Sequence, residues 1–157
     1  MTEIRTETDA EVEAEIAALA EGTPLVGIIM GSASDMEVMK KAEAVLTEKG
    51  IQSEIRVMSA HRDPETVTDY CTNAHLRGLR VIIAGAGLSA ALPGVAAAHT
   101  DLPVIGVPLS SALSAAGGLD AILSVIQMPP GVPVAAVGLD NAKNAGHLAA
   151  RIIGSTA

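Results

Sequence analysis

A chain of 157 residues that is 49% hydrophobic has the length of one domain and enough apolar side chains to bury a sizeable core. Its formal net charge of -8, together with one Tyr and neither Trp nor Phe, opposes the phosphate backbone of nucleic acid and removes the rings on which bases stack, so DNA and RNA are not expected partners. The single cysteine, Cys71, excludes an intrachain disulfide and a cysteine metal cluster and points to a reducing cytoplasm. No basic start followed by an apolar run opens the sequence, and no 18-residue stretch is free of both charges and breakers, so neither export nor membrane insertion is expected.

The acidity is concentrated in the first 21 residues, which hold seven Glu or Asp against one Arg. The remainder is nearly balanced and leaves room for a small anionic substrate. Residues 8–21 place Val12, Ile16 and Leu19 at helical spacing among Ala and Glu, which predicts an amphipathic helix, and Gly22, Thr23 and Pro24 break it. Residues 1–23 thus read as a helical extension and residues 24–157 as a single domain. The apolar run 25–30, too short for a helix and bounded by breakers, predicts a strand buried on both faces. A helix over about 35–49 is ended by Gly50, and residues 51–58 form a second strand.

Asp63 and Pro64 are a good N-cap and first-turn pair, so a helix is expected from there to about Arg77. Residues 79–84 are a third strand, 89–99 an Ala-rich helix and 103–107 a fourth strand. Residues 118–127 then form a helix, 132–137 a fifth strand after a proline-rich turn, and 140–153 a closing helix capped by Asp140. Strands alternating with helices of this length imply right-handed crossovers. The expected fold is a three-layer, Rossmann- or flavodoxin-like α/β domain with a parallel sheet of five strands or slightly more. In such sheets ligands sit beyond the carboxyl ends of the strands, which directs attention to three turns.

The first turn, Gly31-Ser32-Ala33-Ser34-Asp35, offers backbone N–H groups and two hydroxyls at a helix start, suited to a phosphate or a ribose; helix capping by Ser34 or Asp35 is the plainer alternative. The second, Ser59-Ala60-His61-Arg62, sets a side chain that titrates near neutrality beside a permanent anion clamp. His61, Asp63 and Glu65 could suggest metal ligation, but the two carboxylates have ordinary helix-start roles and no metal is expected. The third, running from Gly85 to Gly94, contains a Gly-x-Gly-x-x-Ala match to a dinucleotide fingerprint. It follows the third strand, and no acidic residue ends the next one, so the match is weak; its firmer implication is close approach of backbone to a ligand. His75, His99 and His147 lie away from strand ends and read as surface or capping residues. Cys71 reads as a small buried apolar group. Ser110, Ser111 and Ser114 could line the crevice, but a hydrolytic triad is unsupported.

The blocks MGSASD, MSAHRDPE, IIAGAGLSAALPGV, PVIGVP and QMPPGVPVA, in this order and each at an expected strand end, together resemble the PurE family over about residues 25–153. That resemblance implies a 5-(carboxyamino)imidazole ribonucleotide mutase needing no metal or organic cofactor, which moves a carboxyl group from nitrogen to carbon of a small purine precursor. It implies that His61 is the catalytic acid and base, that Ser32, Asp35 and Arg62 bind ribose and phosphate, and that Ser34, Ser59 and Ala60 line the site. Ala86, Gly87 and Leu92 would shape the pocket for the imidazole and its carboxyl group. Bacterial mutases of the family usually carry a second His in the Gly-rich loop, where this chain has Ala91. Animal-type relatives, which carboxylate the unsubstituted ribonucleotide directly, instead have Lys after the catalytic His and Arg-Ser-Asn in that loop; Arg62 and the loop sequence favour the mutase branch. The family also implies a homo-oligomer, an octamer in bacterial members, although their long C-terminal helix has no counterpart here. Competing readings are a direct carboxylase of this or another nucleotide, and a non-catalytic nucleotide- or flavin-binding module on the same fold.

Overall fold

A computed structural model describes residues 22–154, and the helix expected over residues 8–21 lies outside them. Five strands, β1 (Val26–Met30), β2 (Ser53–Val57), β3 (Val81–Gly87), β4 (Val104–Leu109) and β5 (Ala135–Ala136), alternate with helices. The helices are α1 (Met36–Glu48), α2 (Pro64–Thr72), α3 (Leu92–Ala98), α4 (Leu119–Ile126) and α5 (Ala142–Gly154). The strands pair in parallel in the order β2-β1-β3-β4-β5. This is the flavodoxin-like order, whose switch point lies between β1 and β3.

Strand periodicity sorts the core into two layers. Ile29 of β1 with Ile82 and Ala84 of β3 points to one face, where it packs with Val67 and Tyr70 of α2, Leu92 and Ala96 of α3 and Val125 of α4. Ile28 and Met30 with Val81 and Ile83 point to the other, against Met39 and Leu46 of α1 and Ala142, Ala145 and Ala149 of α5. All five residues of β1 are buried, as its unbroken apolar run requires.

With Tyr70 the one aromatic ring in the core, the layers close by near approach of helices and strands to glycine backbone. A Cβ on Gly146 of α5 would lie 2.8 Å from the Ala42 carbonyl oxygen and 3.0 Å from Cβ of Val45, both on α1. A Cβ on Gly106 in β4 would lie 2.8 Å from Val134.

Several boundaries differ from the sequence expectation, each for a local reason. The second helix stops at Thr72 and a 3-10 turn, Ala74–Arg77, follows. There the Asn73 side chain donates to the Asp69 carbonyl at 3.1 Å, and such side-chain bonds compete with helical ones. The third strand runs on to Gly87, pairing Ala86 with Pro108 and Gly87 with Leu109, so Gly85, Ala86 and Gly87 are strand and not turn. Gly85 is needed to admit Met39, whose Cε would stand 2.9 Å from an added Cβ, so at that position close packing and not approach to a ligand requires glycine. The fifth strand shrinks to two residues; Pro133, within the expected span, has no N–H for a ladder. The closing helix is not capped by Asp140: Asn141 Oδ1 accepts from the Asn144 N–H at 3.1 Å, while Asp140 is left-handed with φ 57.

Replacing Gly146 with Ala is expected to destabilise the protein by about 1–3 kcal/mol through overpacking, in spite of alanine's better helix propensity, about 1 kcal/mol. Urea unfolding of the two proteins checks this; equal midpoints would mean that α1 and α5 can move apart freely.

Candidate functional site

The carboxyl ends of β1, β2, β3 and β4 open into a cavity of about 550 Å³. All ten residues singled out from the sequence line it: Ser32, Ser34, Asp35, Ser59, Ala60, His61, Arg62, Ala86, Gly87 and Leu92. A larger cavity of about 1120 Å³, which includes His75 and His99, lies at the opposite ends of β4 and β5 and brings together none of these groups.

The first wall is the turn after β1. Ser32 is extended, and its hydroxyl oxygen accepts from the Ser34 N–H at 3.2 Å and from the Ser34 hydroxyl at 2.8 Å. Ser32 therefore caps the short 3-10 turn Ala33–Asp35. Asp35, at the start of α1, is half-buried, and desolvation raises its carboxyl above the ordinary value of 3.8. The negative charge of Asp140 adds to the rise, and hydrogen bonding from Ser34 and Ser32 partly offsets it.

The second wall is the turn between β2 and α2. Ser59 Oγ accepts from the Arg62 N–H at 3.3 Å, and Asp63 caps α2 by accepting from the Thr66 N–H at 3.4 Å. Arg62 reaches across to the first wall, donating to the Gly31 carbonyl at 2.6 Å. One guanidinium edge is thereby fixed to the β1 turn, which sets a permanent cation between the two hydroxyl-bearing loops. His61 is exposed and lines the cavity beside it.

The third and fourth walls leave β3 and β4 side by side, since Gly87 and Leu109 are register partners. Leu88 has φ 56, a left-handed conformation that costs a non-glycine residue roughly 1–2 kcal/mol. The Ala90 N–H closes a tight turn onto the Leu88 carbonyl at 2.8 Å, and Ala91 also faces the cavity. Ser110 and Ser111, which the sequence reading set aside, line it as well. The Ser110 N–H donates to Asp140 Oδ1 at 2.8 Å and its hydroxyl donates to the other carboxylate oxygen. Asp140 in turn is held by its own N–H on the Pro108 carbonyl at 2.9 Å. The rule that places ligands at strand ends pointed to Ser110 and Ser111; nothing in the sequence pointed to Asp140 as their anchor, because an Asp before a helix reads as its cap. Among the described residues, no three His, Cys, Asp or Glu side chains converge as metal ligands would.

This fold and site define a flavodoxin-like α/β protein whose ligand pocket sits across the topological switch point, with an imidazole and a guanidinium in one turn. The family model described as AIR carboxylase matches residues 25–157, and the chain belongs to that family. It is 58% identical over 131 residues to the N5-carboxyaminoimidazole ribonucleotide mutase of Pyrococcus horikoshii, covering 83% of this chain and 73% of that one. The Thermotoga maritima protein of the same name is 57% identical, covering 83% of this chain and 75% of its own length. A crystal structure of Treponema denticola PurE superposes with a TM-score of 0.73 at 36% identity, covering 84% of this chain and 81% of that one.

Because the folded state holds Asp35 protonated to a higher pH than its ordinary value of 3.8, ionisation favours the unfolded chain as pH rises through that window. Asp35→Asn is expected to be more stable than the parent at pH 7, with the difference vanishing below about pH 3.8. Thermal melts of both proteins across that range check the sign.

Proposed function

We propose that this protein isomerises 5-(carboxyamino)imidazole ribonucleotide to 4-carboxy-5-aminoimidazole ribonucleotide in de novo purine biosynthesis. The observation that carries the reading is the placement of His61 beside Arg62 in a pocket whose other loops offer Ser32 and Asp35. The names of relatives 57–58% identical to the chain supply the reaction. Arg62, fixed on the Gly31 carbonyl, presents its remaining donors to phosphate, and Ser32 and Asp35 take the ribose. Ser34, Ser59 and Ala60 line the site, and Ala86, Gly87 and Leu92 form the wall against the imidazole.

The chemistry asks for one proton at two atoms. Breaking the N–carboxyl bond releases CO2 and leaves electrons on nitrogen, which a proton must take up. Forming the new carbon–carbon bond leaves a hydrogen on the ring carbon that must depart. One imidazole, protonated for the first step and neutral after it, does both, and His61 is the group in the pocket able to do so. Closure of the pocket over bound substrate would keep CO2 beside the ring between the two steps.

Residues 24–157 act as one domain, in keeping with the extent of the family match, 25–157. The protein works as a homo-oligomer in the cytoplasm. Exposed Leu119, Leu123 and Ile126 along one face of α4 support the first point, since aligned apolar side chains of this kind are covered in assemblies. A single buried free thiol, Cys71, is consistent with the second.

Purified protein should convert the N-carboxylated ribonucleotide without added bicarbonate, and His61→Asn should lower kcat by about 10²–10⁴-fold, the usual worth of a general acid–base group, with ribonucleotide binding by calorimetry retained. Turnover of the unsubstituted ribonucleotide only with bicarbonate would make it a direct carboxylase. An undiminished His61→Asn enzyme would remove His61 from the mechanism.

A further inference from the structure

The serines of the pocket are not interchangeable, because their hydrogens are already assigned. A serine hydroxyl has one hydrogen to give and two lone pairs with which to accept. Ser32 Oγ accepts from both the N–H and the hydroxyl of Ser34, so its lone pairs are taken and its own hydrogen is left to offer. Ser110 is the reverse. Its hydroxyl donates to one oxygen of the Asp140 carboxylate, and its N–H donates to the other at 2.8 Å. An exposed side chain on the pocket wall therefore has only lone pairs to present. A carboxylate accepts and cannot donate, which fixes the direction of the bond. A hydroxyl that gives its hydrogen to a charged partner also becomes a stronger acceptor itself. Asp140 is turned to this task by its own backbone: it is left-handed with φ 57, its N–H is tied to the Pro108 carbonyl, and capping of α5 is left to Asn141.

The neighbours of this acceptor follow from the fold. Helices α1 and α5 both return from the carboxyl ends of parallel strands, and they pack on each other at Gly146 and Ala42. Their first turns thus stand side by side, and Asp35, just before α1, feels the charge of Asp140, just before α5. A phosphate is repelled by that charge and brings lone pairs where a hydrogen is wanted, so it belongs with Arg62 and the hydrogen of Ser32. Whatever meets Ser110 must donate, and beside Asp35 the donor is a sugar hydroxyl. Resting on the isomerase reading above, we propose that Ser110 is a specificity-determining residue that accepts from a ribose hydroxyl of the substrate, with Asp140 the positioning residue that holds Ser110 as an acceptor.

The test compares sugars. Binding of 4-carboxy-5-aminoimidazole ribonucleotide, and of its 2′-deoxy and 3′-deoxy forms, is measured by calorimetry. The parent protein should hold the ribonucleotide about 3–10-fold more tightly than one of the deoxy forms, the usual worth of one hydrogen bond. Ser110→Ala, a one-atom change on an exposed side chain, should weaken ribonucleotide binding by that factor and leave that deoxy form unaffected. Asp140→Asn should do the same with Ser110 intact, because the amide N–H2 donates to Ser110 Oγ and turns the hydroxyl hydrogen into the pocket. A merely structural role for Asp140 would weaken all three ligands alike. Ser110→Thr, which keeps the hydroxyl, should restore the preference. A parent indifferent to both sugar hydroxyls would overturn the proposal, as would full discrimination in Ser110→Ala or Asp140→Asn. A parent that binds the ribonucleotide with this preference yet fails to isomerise its N-carboxylated form would overturn the reaction assigned above and leave the sugar contact standing.

Discussion

Scarcity of aromatic side chains is the constraint on which the rest of this structure depends. A chain with one Tyr and neither Phe nor Trp cannot fill a core with rings, so its layers must lie close enough for Ala, Gly and short aliphatic groups to touch. Gly146 against Ala42 and Gly106 against Val134 are two places where that closeness leaves no room for a Cβ. Close layers make a stiff sheet, and a stiff sheet delivers the ends of β1, β2, β3 and β4 to one cavity with their turns in fixed relation. The chemistry is then a matter of what each turn carries: hydroxyls after β1, imidazole and guanidinium after β2, hydrocarbon after β3, and hydroxyls again after β4.

Tight links between turns convert that proximity into a site. Arg62 crosses from the second turn to the Gly31 carbonyl of the first, and Asp140 crosses from the last turn to Ser110 in the fourth. Each link joins residues about 30 positions apart in sequence, 31 for one and 30 for the other, so neither can form before the sheet does. The pocket is accordingly a product of the tertiary fold, although each of its loops is locally simple.

What could be read from the sequence follows the same division. Buried strands such as β1 announce themselves through unbroken apolar runs, and the cap pair Asp63–Pro64 marks the start of α2, so the order of elements and the three-layer arrangement were legible. The turns after β1 and β2 were legible too, because hydroxyls, His61 and Arg62 at strand ends carry chemical meaning without any contact being known. Boundaries were less so. Gly85 and Gly87 suggested a turn, whereas pairing with β4 keeps them in the strand. Asp140 carried the signature of a helix cap, and only the fold reveals that its carboxylate is engaged by Ser110 while Asn141 caps instead. Leu88 carried no mark of its left-handed backbone, since leucine is not a residue that favours that conformation.

The two outer strands have a consequence for how copies of this protein can meet. One edge of the sheet is β5, two residues long and preceded by Pro129, Pro130 and Pro133; the other is β2, where Arg56 and Glu54 form an ion pair at 2.8 Å. Prolines and charges deny a neighbouring chain the row of N–H and C=O groups it would need to add a strand. Sheet extension, and with it fibrous aggregation, is thereby closed off at both sides. Growth of any ordered assembly is left to the helical faces, where the geometry of side chains and not the repeat of the backbone decides when to stop.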